Sequence, residues 1–149
     1  MTGVGGVGKT SIATAVAHKM LDTFDEVWLV ELAPISDSGT VASALSKSVG
    51  ISGSPSELDE IVAALSRRGR TLIVLDNCEH VVDAAADAAE ALSTIVNVIV
   101  LTTSRVELGI GVEHLLQLAP LEVTEPSSEL FLREAVGAIR ASQLANVTG

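Results

Sequence analysis

Val27-Trp28-Leu29-Val30 is a short unbroken apolar run, and the chain repeats this kind of run at intervals between stretches of helical spacing. Thr71-Leu72-Ile73-Val74-Leu75 and Val98-Ile99-Val100-Leu101 are further examples, and Leu115-Leu116-Gln117-Leu118 is a weaker one. Apolar runs without polar alternation predict strands covered on both faces. Their alternation with helices predicts an α/β fold with a mainly parallel sheet. The first helix is expected from about Lys9 to Leu21, with Ile12, Val16 and Met20 on one face. A second spans roughly Val41 to Val49. A third is bracketed by Ser54, Pro55 and Glu57 as a capping box and by Arg67, Arg68 and a left-handed Gly69 at its end. An Ala-rich helix covers about Val81 to Ile95. The last begins near Ser127 and places Leu130, Phe131, Ala135 and Ile139 on one side.

Composition narrows what such a domain can do. The 149 residues suffice for one core, and with aromatics at 2% that core must be built from Val, Leu, Ile and Ala. Nine basic residues against nineteen acidic ones give a net charge of −10. That balance lacks the cationic footprint of a nucleic-acid binder, so no direct nucleic-acid contact is expected from this segment. The single cysteine, Cys78, rules out an internal disulfide and fits a reducing compartment, so the cytoplasm is the expected location. No apolar run reaches the roughly 20 residues that span a bilayer, so no membrane partner is expected.

The chemistry begins at the N-terminus. Gly3-Val4-Gly5-Gly6-Val7-Gly8-Lys9-Thr10 satisfies G-x-x-x-x-G-K-S/T at every fixed position and precedes a predicted helix. Glycines let the backbone curl until successive N–H groups face the phosphates, and the helix N-terminus adds a favourable dipole. Lys9 is expected to reach the β- and γ-phosphates and Thr10 to ligate Mg²⁺, which points to Mg-ATP. Leu72-Ile73-Val74-Leu75-Asp76 has the Walker B form, an acid at the tip of a parallel strand, where such sheets bind ligands. Asp76 is the second expected Mg²⁺ residue. The next position is Asn77, which cannot accept a proton from water; Glu79 is the nearest acid that could, although an acid there also suits the start of a helix. Cys78 and His80 have no partner ligands at metal-binding spacing and read as structural. After the third run, Thr102-Thr103-Ser104-Arg105 puts a cation beside the nucleotide, where Arg105 could sense the γ-phosphate.

Taken together, these segments resemble the NB-ARC or AP-ATPase branch of the STAND signalling ATPases, and more narrowly the nucleotide-binding module of large actinobacterial transcriptional regulators. The resemblance is carried by Thr2 to Thr10, Val27 to Ala33, Leu75 to His80, Thr103 to Gly109, Leu118 to Val123 and Glu129 to Leu132. It implies a P-loop NTPase three-layer sandwich over residues 1–123 and the start of a helical subdomain over 124–149. It also implies an ATP/ADP switch with slow ATPase activity inside a longer, DNA-binding parent, with nucleotide-dependent self-association. Phosphates would be held by Gly3, Gly5, Gly6, Val7, Gly8, Lys9, Thr10 and Ser11, with Lys9, Arg105 and Glu79 as the catalytic set. The chain departs from the family at Val106-Glu107, where Glu-Pro is common. A partition-type ATPase shares the Gly-Gly-Val-Gly-Lys-Thr string but carries a lysine where this chain has Val4.

The alternative to a switching ATPase is a non-hydrolysing interaction module or a remnant of such a regulator. Only Met1 and Thr2 precede Gly3, so the strand that leads into a P-loop is expected to be missing and the chain to be part of a larger protein. Buried backbone groups left without partners cost about 1–3 kcal/mol each, against a domain stability of about 5–15 kcal/mol. The chain alone is therefore expected to be poorly soluble, to melt without a cooperative transition, and to bind ATP more weakly than an extended form. A sharp thermal transition with micromolar ATP binding would contradict this.

Overall fold

A computed structural model describes residues 1–2, 8–36, 41–53, 57–111 and 125–148. The elements run α1 (Lys9–Lys19), β1 (Glu26–Glu31), α2 (Val41–Ser48), α3 (Leu58–Leu65), β2 (Thr71–Asp76), a 3₁₀ turn (Cys78–His80), α4 (Val82–Ser93), β3 (Val98–Thr102) and α5 (Glu125–Thr148). The strands form a three-stranded sheet in the order β1-β2-β3. Both pairings are parallel, with Glu31 level with Asp76 and Leu75 level with Thr102. The α/β sandwich with a parallel sheet expected from the sequence is the fold observed.

Every residue of β2 is buried. Side chains alternate across a strand, so β2 feeds two cores. Ile73 and Leu75 join the cluster built with α2, α3 and α4, including Leu45, Ile61, Leu65 and Leu92. Leu72 and Val74 join the other, with Ile12 and Val16 of α1, Met20 at its C-cap, and Leu132, Ala135 and Ile139 of α5. Helices therefore cover both faces of the sheet, and the predicted face of α1 is the one buried. Of the strand expected ahead of the glycine-rich loop, Met1 and Thr2 are placed beside the end of β3. Thr2 bridges Ser104 in parallel, and the Ser104 N–H donates to the Met1 carbonyl at 3.0 Å.

Several local expectations are corrected. β1 is not covered on both faces: Leu29 is 39% exposed, and among the described residues β1 has a strand neighbour on one side only. α3 begins at Leu58, so Glu57 sits at the N-cap without a side-chain capping bond rather than inside the first turn. Ser54 and Pro55 lie outside the described residues, as does the weak strand at Leu115-Leu118. The helix closes at Ser66, whose N–H bonds the Val62 carbonyl, well before Gly69. Gly69 does not take a left-handed conformation. Its missing side chain is needed for another reason, because a Cβ there would lie 2.5 Å from Asp25 Oδ2. That carboxylate accepts the Arg70 N–H at 2.8 Å. Arg68 meets the end of α3 only through its backbone N–H, which bonds the Leu65 carbonyl at 3.0 Å, while its guanidinium reaches Glu26 at 3.0 Å and the Val49 carbonyl at 2.7 Å. On α5, Leu130 is 59% exposed and Leu132 takes the inward position, because the apolar side of the helix is set by where α1 lies.

The central position of β2 makes its side chains the most costly to truncate. Ile73→Ala should destabilise by about 2–5 kcal/mol, the range for a large aliphatic lost from a packed core. Leu29→Ala on the half-covered strand should cost about 1 kcal/mol or less. Urea denaturation of both variants checks this, and equal losses would contradict the two-sided packing of β2.

Candidate functional site

The end of the sheet where the parallel strands finish also receives the start of α1. Gly8 occupies the N-cap with φ of 83°, a left-handed conformation that costs glycine little. Its carbonyl accepts the Ile12 N–H at 2.9 Å and starts the helix. Lys9 is 7% exposed, whereas Thr10 and Ser11 are exposed as residues. Gly3, Gly5, Gly6 and Val7 lie outside the described residues.

Asp76 closes β2 at 1% exposure. A carboxylate withdrawn from water must be matched by donors, and donors arrive from three segments. The Thr10 hydroxyl lies 3.0 and 2.9 Å from its two oxygens. The Thr103 hydroxyl donates to Oδ1, and the Asn77 amide lies 3.4 Å from Oδ2. Thr103 itself is fully buried. Its hydroxyl accepts the Asn77 N–H at 2.9 Å, so its single proton is committed to Asp76. Two backbone bonds complete the clasp, Thr103 N–H to the Leu75 carbonyl and Cys78 N–H to the Thr103 carbonyl, both 2.9 Å. Asn77 takes φ of 60°, an uncommon left-handed value outside glycine, which turns the chain sharply after the acid.

The turn that follows carries Glu79. Its Oε1 lies 3.5 Å from Nε of Arg105, the Glu79 side chain being 13% exposed and that of Arg105 63%. The other oxygen, Oε2, is buried without a hydrogen-bond partner. Cys78, just before Glu79 in the turn, is fully buried, and burial, reinforced by the Glu79 charge, pushes its thiol up to about 12. The raised value favours the protonated thiol, the less reactive form. Among the described residues no three His, Cys, Asp or Glu side chains are grouped to hold a metal. The hard oxygens of Thr10 and Asp76, adjacent at the helix start, are a donor set of the kind Mg²⁺ takes when phosphates and water supply the rest.

The structure thus brings Thr10 and Asp76 together and joins Glu79 to Arg105. The sequence assigns Thr103 no role of its own; it is one of the hydroxyl residues, Thr102 to Ser104, at and just beyond the end of β3. Thr103→Val should cost about 2 kcal/mol, since it removes a bond to a charged group and leaves the Asn77 N–H unmet. Thr103→Ser should retain most of that stability. Urea unfolding of the pair checks it, and equal stability of the valine variant and wild type would remove Thr103 from the clasp.

Residues 1–114 match the NB-ARC domain. A Mycobacterium tuberculosis protein named "Putative HTH-type transcriptional regulator" is 37% identical over 138 residues, covering 91% of this chain and 15% of that protein. A protein of the same name from Mycobacterium bovis matches equally. A Mycobacterium tuberculosis protein named only as uncharacterized is 30% identical over 139 residues, covering 91% of this chain and 35% of its own length. The chain thus spans a minor part of these relatives. Among the described residues no helix is long and apolar enough to cross a membrane. With the family match running from the first residue through the segment that carries Thr10, Asp76 and Arg105, the chain belongs to the NB-ARC domain family.

Proposed function

We propose that this chain is the Mg-ATP-binding switch module of a larger regulatory protein, alternating slowly between ATP and ADP. The observation that carries this reading is the Thr10 hydroxyl set on the Asp76 carboxylate at the start of α1. A hydroxyl and an acid paired next to Lys9 at the end of a parallel sheet are what a Mg-phosphate site of this kind would use, which supports the reading.

In this reading the backbone from Gly3 to Ser11, including Gly5, Gly6, Val7 and Gly8, wraps the phosphates. Lys9 sets its charge on the β- and γ-phosphates. Thr10 and Asp76 would hold Mg²⁺, which when bound neutralises phosphate charge. Arg105 serves as the γ-phosphate sensor. Residues 1–123 form the nucleotide-binding core, and 124–149 begin a helical subdomain. The names of the mycobacterial relatives, HTH-type transcriptional regulators, support a DNA-binding parent, and the cytoplasm is its expected place. The net charge of −10 argues against contact with nucleic acid by this segment itself.

Hydrolysis in this reading is slow. The position after Asp76 holds Asn77, whose N–H is already bonded to Thr103 and whose amide cannot take a proton from water. The same feature favours a second reading, a module that binds ATP without hydrolysing it and works by nucleotide-dependent self-association.

Lys9→Ala should weaken triphosphate binding by about 10- to 100-fold, the loss expected for charge-assisted bonds to phosphate. Titration with a fluorescent ATP analogue measures it, and unchanged affinity would sink the phosphate-binding assignment. Asp76→Ala should abolish the gain in ATP affinity on adding Mg²⁺. Should Mg²⁺ strengthen binding by the alanine variant as much as by wild type, Asp76 holds no metal.

A further inference from the structure

Glu79 and Arg105 hang from the same centre. Glu79 lies in the 3₁₀ turn whose first N–H, that of Cys78, is bonded to the Thr103 carbonyl. Arg105 follows Thr103 by two residues. The two side chains differ in freedom. The carboxylate is almost enclosed, at 13% exposure, and fixed by a short turn, whereas the guanidinium is 63% exposed at the end of a long flexible chain. Their contact, 3.5 Å from Nε to Oε1, is a single long one rather than a bidentate pair. The remaining carboxylate oxygen is buried with no hydrogen-bond partner. A half-matched carboxylate of this kind is costly to leave unpaired, because a buried acceptor loses water without regaining a donor. Its guanidinium partner, by contrast, is in solvent and exchanges readily.

We propose that Glu79 is the holding site for Arg105, so that a triphosphate must take the guanidinium from Glu79 before Arg105 can engage it. Glu79 thereby sets the preference between nucleoside triphosphate and diphosphate. The proposal rests on the ATP-binding reading above and adds to it a competing anion inside the protein. One guanidinium serves two acceptors, the enclosed carboxylate and the terminal phosphoryl group. A diphosphate lacks the group that competes, so it leaves the Arg105–Glu79 pair in place. Losing Arg105 leaves both Glu79 oxygens unmatched, and that cost opposes the triphosphate-engaged arrangement. Glu79 is in this account a specificity-determining positioning residue acting through Arg105, and its carboxylate takes no proton from water.

The test is a double-mutant cycle read as the ratio of ATP to ADP affinity in the presence of Mg²⁺, with turnover measured in parallel. Glu79→Gln keeps the shape and removes the charge that holds Arg105. It should raise the ATP:ADP affinity ratio by about threefold to fivefold, the range of a partly exposed ion pair. A general gain from removing a negative charge favours the more highly charged triphosphate and would persist without Arg105, so the Arg105→Ala background separates it from release of the guanidinium. In an Arg105→Ala background the same Glu79→Gln change should leave the ratio unaltered. Glu79→Ala, which deletes the carboxylate, should raise the ratio likewise and serves if the glutamine variant does not fold. An unchanged or lowered ratio in the folded Glu79 variants overturns the holding role. So does a Glu79→Gln variant that abolishes turnover at wild-type ratio, since that would make Glu79 the group that activates water. If the wild-type chain binds neither nucleotide, the ATP-binding reading falls and this proposal falls with it.

Discussion

A buried carboxylate has to be met by donors wherever the chain can supply them, and in this protein the demand is made by Asp76 at 1% exposure. The answer comes from Thr10 at the start of α1, Thr103 beyond β3 and Asn77 in the turn after β2. Each donor belongs to a different element, so satisfying one charge fixes the mutual position of a helix start, a strand end and a turn. The Thr103 hydroxyl is the tightest part of this arrangement, because it is saturated on both sides. Everything chemically interesting nearby takes its place from that clasp.

The sheet makes the clasp affordable in structural terms. β2 is buried along its whole length and feeds a core on each face, so its last residue emerges at a fixed height and direction. α1 is pressed onto one face through Ile12, Val16 and its C-cap Met20, which brings its first turn to the end of β2. α4, on the other face, offers Ala85, Ala88, Ala89 and Leu92 to the second core. Small residues there let a helix lie close without bulky ridges. Two cores that share one strand couple any disturbance of that strand to both layers.

Much of this was legible in the sequence where the signal is local. Unbroken apolar runs located all three strands, helical spacing gave the buried face of α1, and the glycine-lysine-threonine string with the acid after Leu75 marked Thr10 and Asp76 before their contact was seen. What escaped depends on partners far along the chain. Thr103 and Asp76 are 27 positions apart, and nothing local distinguishes a strand-end threonine that clasps a carboxylate from one that faces water. β1 and β2 have similar apolar runs, yet one lies at the side of the described sheet and the other at its centre, a difference made by topology. Gly69 looked like a helix terminator and proved to be a point of close approach to Asp25, 44 positions earlier in the chain. Leu130 and Leu132 could not be ranked until the direction of α1 was known.

The length of α5 has a mechanical side. At 24 residues it is about 36 Å from end to end. It is gripped near its middle, where Leu132, Ala135 and Ile139 join the α1 residues in one core. A rod clamped at its centre to a helix whose first turn carries Lys9 and Thr10 behaves as a pointer. A rotation of about 10° at the clamp displaces each tip by about 3 Å.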